Sequence, residues 1–280
     1  MLKVSAIIPA FNEADNIALV VCGMIALRDH AGAPLIHEVV VADNGSSDAT
    51  AAVATAAGAK VIAVAEKGYG SACASACHIA TGDIFLFADG DHTAELTQAK
   101  LLLDAIAQGA DLAIGVRKHA THGSLTLPQR IGNRLACFLV RLIWSIPISD
   151  LGPFRAIRRV AYERIGMRDR AYGWTIEMQI RAALLKLRTT DVAVSWLPRH
   201  AGNSKISGTL TGVIGAAWGI LSTIARLRWR QRRQSIHQRE TRPRSPAMAL
   251  TSALTSVDIL PAGQPLLPAT TPRRPLSNRE

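Results

Sequence analysis

Apolar residues in the first half of the chain come in short blocks separated by polar turns. Segments 4–9, 38–42, 60–65, 84–88 and 111–116 have strand length, and several are rich in Val and Ile on both faces. Between them, segments 16–27, 48–57, 71–81 and 95–108 carry helical periodicity, with Asp15 placed to cap the first. Strands alternating with helices at this spacing predict an α/β fold: a mostly parallel sheet with helices on both faces. In such sheets ligands bind at the carboxyl ends of the strands.

The second half is less regular. Segment 127–144 predicts an apolar helix bearing Arg130, Arg134 and Arg141, 150–158 a loop and strand, 175–187 a helix and 191–197 a strand. Segment 209–233 predicts one long helix, apolar first and basic later. From residue 237 the periodicity stops, and seven of the thirteen prolines lie in 237–280. The expected organisation is a catalytic domain over 1–208, an amphipathic basic helix over 209–236 and a disordered Pro/Arg-rich tail over 237–280.

Composition sharpens this picture in two places. The net charge is +11, but residues 226–280 hold 11 basic and 3 acidic side chains against 21 and 18 in the rest. The nearly balanced core argues against nucleic acid as a partner, and the basic end suits an anionic membrane surface. Cys22, Cys73, Cys77 and Cys137 show no disulfide-dense spacing, which fits a reducing cytosol. No signal peptide is expected at the N-terminus. Segment 210–227 is the only membrane-like stretch, but Gly212, Gly215 and Gly219 interrupt it, so it reads as a buried or interfacial helix. The expected location is cytoplasmic, with peripheral attachment at the inner face of the membrane as the hypothesis.

The chemistry concentrates after the strands. Residues 83–92 read Asp-Ile-Phe-Leu-Phe-Ala-Asp-Gly-Asp-His. If the strand runs to its end, Asp89 and Asp91 point to one side and converge on a hard cation, Mg²⁺ or Mn²⁺. Pro9-Ala10-Phe11-Asn12-Glu13, Asp43-Asn44-Gly45-Ser46-Ser47-Asp48 and Glu66-Lys67-Gly68-Tyr69-Gly70-Ser71 follow the first three strands. Their carboxylates and amides suit a base and ribose, and Gly68 and Gly70 would let a phosphate approach a helix start. Tight solvated turns are the alternative for each motif alone. The first strand lacks the G-x-G-x-x-G of dinucleotide folds, and there is no P-loop.

Together these motifs resemble family 2 glycosyltransferases of the GT-A fold, most closely the dolichyl- or polyprenyl-phosphate mannose or glucose synthase branch. Later segments agree. Asp150-Leu151-Gly152-Pro153-Phe154-Arg155 is similar to that branch's Asp to Gly-Phe-Arg segment, with Pro153 where the branch has Gly. Tyr172-Gly173-Trp174-Thr175-Ile176-Glu177-Met178 and Arg199-His200-Ala201-Gly202-Asn203-Ser204-Lys205 are similar to its Gly-aromatic-x-x-Glu-Met and Arg-x-x-Gly-x-Ser-Lys segments.

The resemblance implies metal-dependent, inverting transfer of a hexose from a nucleoside-diphosphate sugar. It implies a nucleotide site drawn from Pro9, Ala10, Asn12, Glu13, Asp43, Asn44, Lys67, Gly70 and Asp89, and a metal on Asp89 and Asp91. Arg155, Arg199 and Lys205 are the candidates for acceptor phosphate. A polyprenyl phosphate acceptor is already anionic, whereas a small or cell-envelope hydroxyl needs a carboxylate base, for which Glu177 and Asp150 are the candidates. Glu177 could instead brace a helix, Asp150 could cap a turn or reach the metal, and Arg155 could pair with Asp150. A non-catalytic nucleotide-sugar-binding protein is the remaining alternative.

Overall fold

The computed structural model describes residues 2–29, 31–120, 127–201 and 210–240. The described strands are β1 (Val4–Ala10), β2 (Glu38–Asp43), β3 (Lys60–Ala63), β4 (Ile84–Phe87), β5 (Leu112–Ala120), β6 (Arg155–Arg158) and β7 (Thr189–Trp196). They form one seven-stranded sheet in the order β3-β2-β1-β4-β6-β5-β7. β1 pairs in parallel with β2 and β4, β2 with β3, and β5 with β7. β6 alone runs antiparallel, to β4 and β5.

The described helices are α1 (Ala14–Ile25), α2 (Thr50–Ala56), α3 (Tyr69–Ile79), α4 (Ala99–Ala107), α5 (Leu127–Trp144), α6 (Arg159–Ile165), α7 (Trp174–Leu184) and α8 (Leu210–Glu240). Alternation along β1 explains the two core layers. Val4, Ala6, Ile8 and Ala10 pack with Ile17, Val20 and Met24 of α1 and Leu102 and Ile106 of α4. Ile7 packs on the opposite face with Cys73 and Cys77 of α3 and Trp174 and Met178 of α7. A third cluster joins α5, α7 and α8 through Val140, Ile176, Ile180, Ile224 and Leu227.

Several boundaries differ from expectation, each for a local reason. Glu13, not Asp15, occupies the N-cap position of α1; Asp15 lies in the first turn, where its charge still suits the helix dipole. The expected 95–108 helix starts with a separate 3-10 turn at Leu96–Gln98, whose preceding Glu95 side chain accepts from the Thr97 N–H. α6 directly follows β6 and has no counterpart in the sequence reading. α8 continues through Glu240, past the expected tail boundary at 237, while 241–280 lie outside the described residues. The chain divides into two units, Met1–Arg232, which holds all seven strands, and Arg233–Glu280.

The sheet edge away from the strand ends discussed below is tied by one carboxylate. Glu38 Oε1 accepts from Ser5 Oγ at 2.6 Å and from the Thr81 N–H and hydroxyl at 2.6 and 2.8 Å. Burial alone would raise the Glu38 pKa, but these bonds and Lys60 outweigh it and hold it below its ordinary 4.5. The stabilisation is therefore complete above pH 4.5 and lost as pH falls through the lower folded-state value. Glu38→Gln is expected to cost about 1 kcal/mol at neutral pH. Thermal melts should show the difference from wild type narrowing in acid; a constant difference would remove the ionised carboxylate from the account.

Candidate active site

The expected motifs do meet at one end of the sheet, at the C-terminal ends of the parallel strands. β1 delivers Asn12 and Glu13, β2 delivers Asp43 and Asn44, and β4 delivers Asp89 and Asp91. Asn12 adopts φ +52°, a left-handed conformation that asparagine tolerates better than most residues. Its amide oxygen accepts from the Ser47 N–H at 2.8 Å, and its own N–H donates to Ser46 Oγ at 2.8 Å. Asp43 in turn accepts from the Ser46 N–H at 3.1 Å and from its hydroxyl. The first two loops are thus locked together. Pro9 and Ala10 lie buried in β1 beneath them.

β4 ends at Phe87, so Asp89 and Asp91 stand beyond the strand on a turn. Strand alternation therefore does not align them, contrary to the expectation. Local hydrogen bonds do: Asp91 Oδ1 accepts from the Thr93 N–H at 3.2 Å and hydroxyl at 2.7 Å, and Asp89 Oδ1 accepts from the Tyr69 hydroxyl at 3.1 Å. Burial first, and then the Asp91 charge, push the Asp89 carboxyl up to about 7. Two carboxylates crowded until one resists ionisation are what a divalent cation would relieve, and their oxygens are the donors Mg²⁺ and Mn²⁺ prefer. The residues present fit such an ion. Among the described residues no cluster of three or more His, Cys, Asp or Glu accompanies them.

Two arginines flank this pair, and only one was anticipated. Arg199, after β7, pairs with Glu13 and lies 3.3 Å from Asp91 Oδ2. Asn16 completes that link by donating to Glu13 Oε2 at 2.8 Å and exchanging bonds with Ala201. Arg117, in β5, was missed by sequence reasoning. Its signal was the first cation after the apolar run 112–116, at the same sheet edge as the other motifs. It forks onto Asp150, with Nε and the backbone N–H both reaching Oδ2 at 2.8 and 2.9 Å, and its guanidinium sits 5.4 Å from the Trp196 ring centre. Its charge acts on Asp89 and opposes the upward shift there.

Several candidate residues do other work than expected. Asp150 is buried and both its oxygens hold Arg117, so it positions a cation and offers no free base. Glu177 is also buried: Oε2 accepts the Arg168 and Asp169 N–H groups at 2.9 and 2.6 Å, and Oε1 lies 2.9 Å from Arg181. It braces the start of α7. Arg155 is 1% exposed and donates to the carbonyls of Gly152, Leu151 and Thr175, so it is neither an acceptor-phosphate ligand nor a partner of Asp150. Burial lowers its pKa to about 10.

The glycine turn is corrected too. Gly68 has φ +136°, and a Cβ there or at Gly70 would collide with the carbonyls of Arg170 and Asp169. The Ser71 N–H donates to the Arg170 carbonyl at 3.0 Å. The close approach is made by the protein's own 169–171 backbone and not by a phosphate at Gly70. Asn44 clamps this turn by accepting from the Gly68 N–H at 2.7 Å and donating to the Glu66 carbonyl at 2.8 Å. Lys67 donates to the Asn44 and Gly45 carbonyls and lies 5.4 Å from the exposed Phe11 ring. Lys205 lies outside the described residues.

A cavity of about 280 Å³ opens between the end of α1 and residues 92–97, lined by Leu27, His92, Glu95, Leu96 and Leu197 among others. None of Asn12, Glu13, Asp43, Asp89, Asp91, Arg117 and Arg199 lines it. Glu177→Gln is expected to lower stability by about 1–2 kcal/mol while leaving kcat within a few-fold. Melting curves and initial rates on one preparation test this; a collapse in kcat at unchanged melting temperature would restore the base role.

The family model described as Glycosyl transferase family 2 matches residues 5–166. An uncharacterized glycosyltransferase of Mycobacterium tuberculosis is 32% identical over 222 residues, covering 78% of this chain and 98% of that protein. The polyprenol monophosphomannose synthase of Mycolicibacterium smegmatis is 30% identical over 248 residues, covering 79% of this chain and 89% of its own. Among solved structures, glucosyl-3-phosphoglycerate synthase of Mycobacterium tuberculosis, in complex with Mn²⁺, UDP-glucose and phosphoglyceric acid, superposes with a TM-score of 0.64. Its identity is 21%, with 80% of each chain covered. That likeness confirms the GT-A fold.

Proposed function

This chain belongs to glycosyl transferase family 2, and we propose that it moves a hexose from a nucleoside-diphosphate sugar to a polyprenyl phosphate. The observation that carries the acceptor class is the engagement of both expected bases. Asp150 is held by Arg117 and Glu177 by backbone N–H groups. A hydroxyl acceptor would need one of them free, whereas a phosphate monoester arrives already anionic. The relative that is a polyprenol monophosphomannose synthase supports the lipid form of that phosphate.

In this reading an acceptor phosphate oxygen attacks the anomeric carbon from the face opposite the donor diphosphate. A new C–O bond forms as the bond to the diphosphate breaks, and the nucleoside diphosphate leaves with the electron pair. Asp89 and Asp91 would hold Mg²⁺ or Mn²⁺, which when bound would supply positive charge against the leaving diphosphate. The Mn²⁺ in the superposed synthase supports that assignment. Asn12, Glu13, Asp43, Asn44 and Lys67 shape the nucleotide side. Arg117 and Arg199 supply positive charge at the reacting phosphates, with Lys205 proposed to join them. The four cysteines are free, and no helix among the described residues is long and apolar enough to cross a membrane. The proposed location is cytoplasmic, with peripheral attachment at the inner membrane face.

A second reading keeps the donor and takes a small soluble or cell-envelope hydroxyl acceptor. The phosphoglyceric acid bound by the superposed synthase favours it. Two assays separate the readings. Melting shifts with UDP-, GDP-, dTDP- and CDP-sugars, each with and without Mn²⁺, identify the donor. Transfer from that donor is then compared between polyprenyl phosphate and phosphoglycerate. Glycosylated polyprenyl phosphate is the expected product. Transfer to phosphoglycerate alone would overturn the acceptor class, and no metal-dependent shift with any donor in folded protein would overturn the donor site.

A further inference from the structure

α5 displays an apolar stripe that no described part of the protein covers. Leu127, Ile131, Leu135, Phe138 and Leu142 recur at intervals of four, four, three and four residues, so they share one helix face. Their exposures run from 48% at Leu135 to 68% at Leu127. Isolated exposed leucines need no explanation, but five large apolar side chains aligned on one eighteen-residue helix do. Arg130, Arg134 and Arg141 are also exposed and run beside the stripe, each one position from an apolar member.

α8 repeats the arrangement. It packs on α5 through the Val140, Ile224 and Leu227 cluster, and Trp144 Nε1 donates to Gln231 Oε1 at 2.7 Å. Away from that contact it exposes Trp218 at 74%, Leu221 at 41% and Trp229 at 55%, with Arg230 and Arg232 exposed nearby. α5 contains no acidic residue, and α8 contains only Glu240 at its last position.

We propose that the exposed faces of α5 and α8 are a docking surface for an anionic phospholipid bilayer. The two helices would lie in the interface with Leu, Phe and Trp side chains immersed and arginines at the phosphates. An apolar stripe bordered by arginines, with tryptophans at the margin, has the chemistry of a helix that lies on a bilayer. Charge selects the membrane over a second copy of the chain. A two-fold contact would bring the same unneutralised arginines of each copy together, whereas anionic head groups complement them. The surface also adjoins the reaction centre. Asn133 of α5 accepts from the Leu151 N–H at 2.9 Å, next to the Asp150 that holds Arg117. A lipid phosphate could then reach the arginines while its chain stays in the bilayer, which rests on the acceptor class proposed above and specifies its route of entry.

The test uses the full chain and needs neither donor nor acceptor. Flotation with vesicles of equal phosphatidylglycerol and phosphatidylcholine is compared with pure phosphatidylcholine at physiological salt. Wild type is expected to float with the anionic vesicles only. Phe138→Gln with Leu142→Gln is expected to lower the partition by about tenfold or more, from the two apolar side chains lost. Its melting temperature and its donor-induced melting shift should not change. If this pair does not fold, Leu127→Gln with Ile131→Gln tests the other end of the stripe. Equal flotation of folded variant and wild type would overturn the proposal and assign binding to the basic tail. So would absence of flotation together with a dimer that the substitutions dissociate. Because the donor shift is read separately, failure here is distinguishable from failure of the transferase reading.

Discussion

Asp89→Asn is expected to lower kcat for sugar transfer by about a hundred- to a thousandfold, the scale of losing one preorganised electrostatic contact at developing charge. It should do so without unfolding the protein. Asn can still accept the Tyr69 hydroxyl bond made to Asp89 Oδ1. Its main difference is the missing charge, and that charge is costly when the cation is absent. Burial and then Asp91 raise the Asp89 pKa from 3.8 to about 7. The group ionises less readily in the folded chain than in the unfolded one. Its contribution to stability is therefore complete below 3.8 and declines as pH rises toward 7. The variant is expected to melt above wild type at pH 8 in the presence of a chelator, and level with it at pH 4. Mn²⁺ should reverse the order at pH 8 by stabilising only wild type. Asp91→Asn should match the kinetic loss, since it keeps the Thr93 bonds and removes the charge facing Arg199. Transfer by Asp89→Asn within a few-fold of wild type would remove the metal pair from the reaction.

Arg155→Ala is expected to act on the fold instead. The guanidinium is 1% exposed and donates to the Gly152, Leu151 and Thr175 carbonyls. Truncation leaves buried carbonyls unpartnered and a cavity between β6 and α7, a loss of about 3–5 kcal/mol. For a unit of this size that is a fall of roughly 10 °C or more in melting temperature. A phosphate ligand would behave differently, raising KM for the acceptor at unchanged stability. Calorimetry and acceptor KM on one preparation separate the two, and an unchanged melting temperature would return Arg155 to the binding site.

The two residue types behave oppositely because burial is not written in a motif. The β1, β2 and β4 segments were legible since each is a continuous apolar run ending in polar chemistry, and α5 shows its full 127–144 extent through its periodicity. β6 is four residues long with an arginine at each end, so neither its antiparallel insertion nor the following α6 stands out locally. Arg155 looked like a phosphate ligand because backbone carbonyls leave no mark in a sequence, and one of the three that claim it, on Thr175, is twenty residues away. Gly68 and Gly70 signalled a close approach correctly, but only the three-dimensional path of 169–171 shows what approaches. Asp89 and Asp91 were found by a strand argument that the turn does not obey, and the short side-chain bonds from Thr93 and Tyr69 keep them in place.

The contact of Asp169 with α8 bears on how this enzyme can be cut or recombined. Asp169 Oδ2 accepts from Thr223 Oγ1 and from Arg226, both at 2.5 Å, and a Cβ on Gly173 would strike the Thr223 hydroxyl. The same 169–171 segment caps the glycine turn that carries Tyr69 to Asp89. α8 is thus grafted into the catalytic unit. Ending the chain at residue 208 would strip that buried carboxylate of its hydroxyl and cation, leaving it only the Ala171 N–H, and open the wall behind the glycine turn. Another C-terminal helix could replace α8 only if it brought its own hydroxyl and cation for Asp169, so this helix and the catalytic unit must be exchanged, or inherited, as one piece.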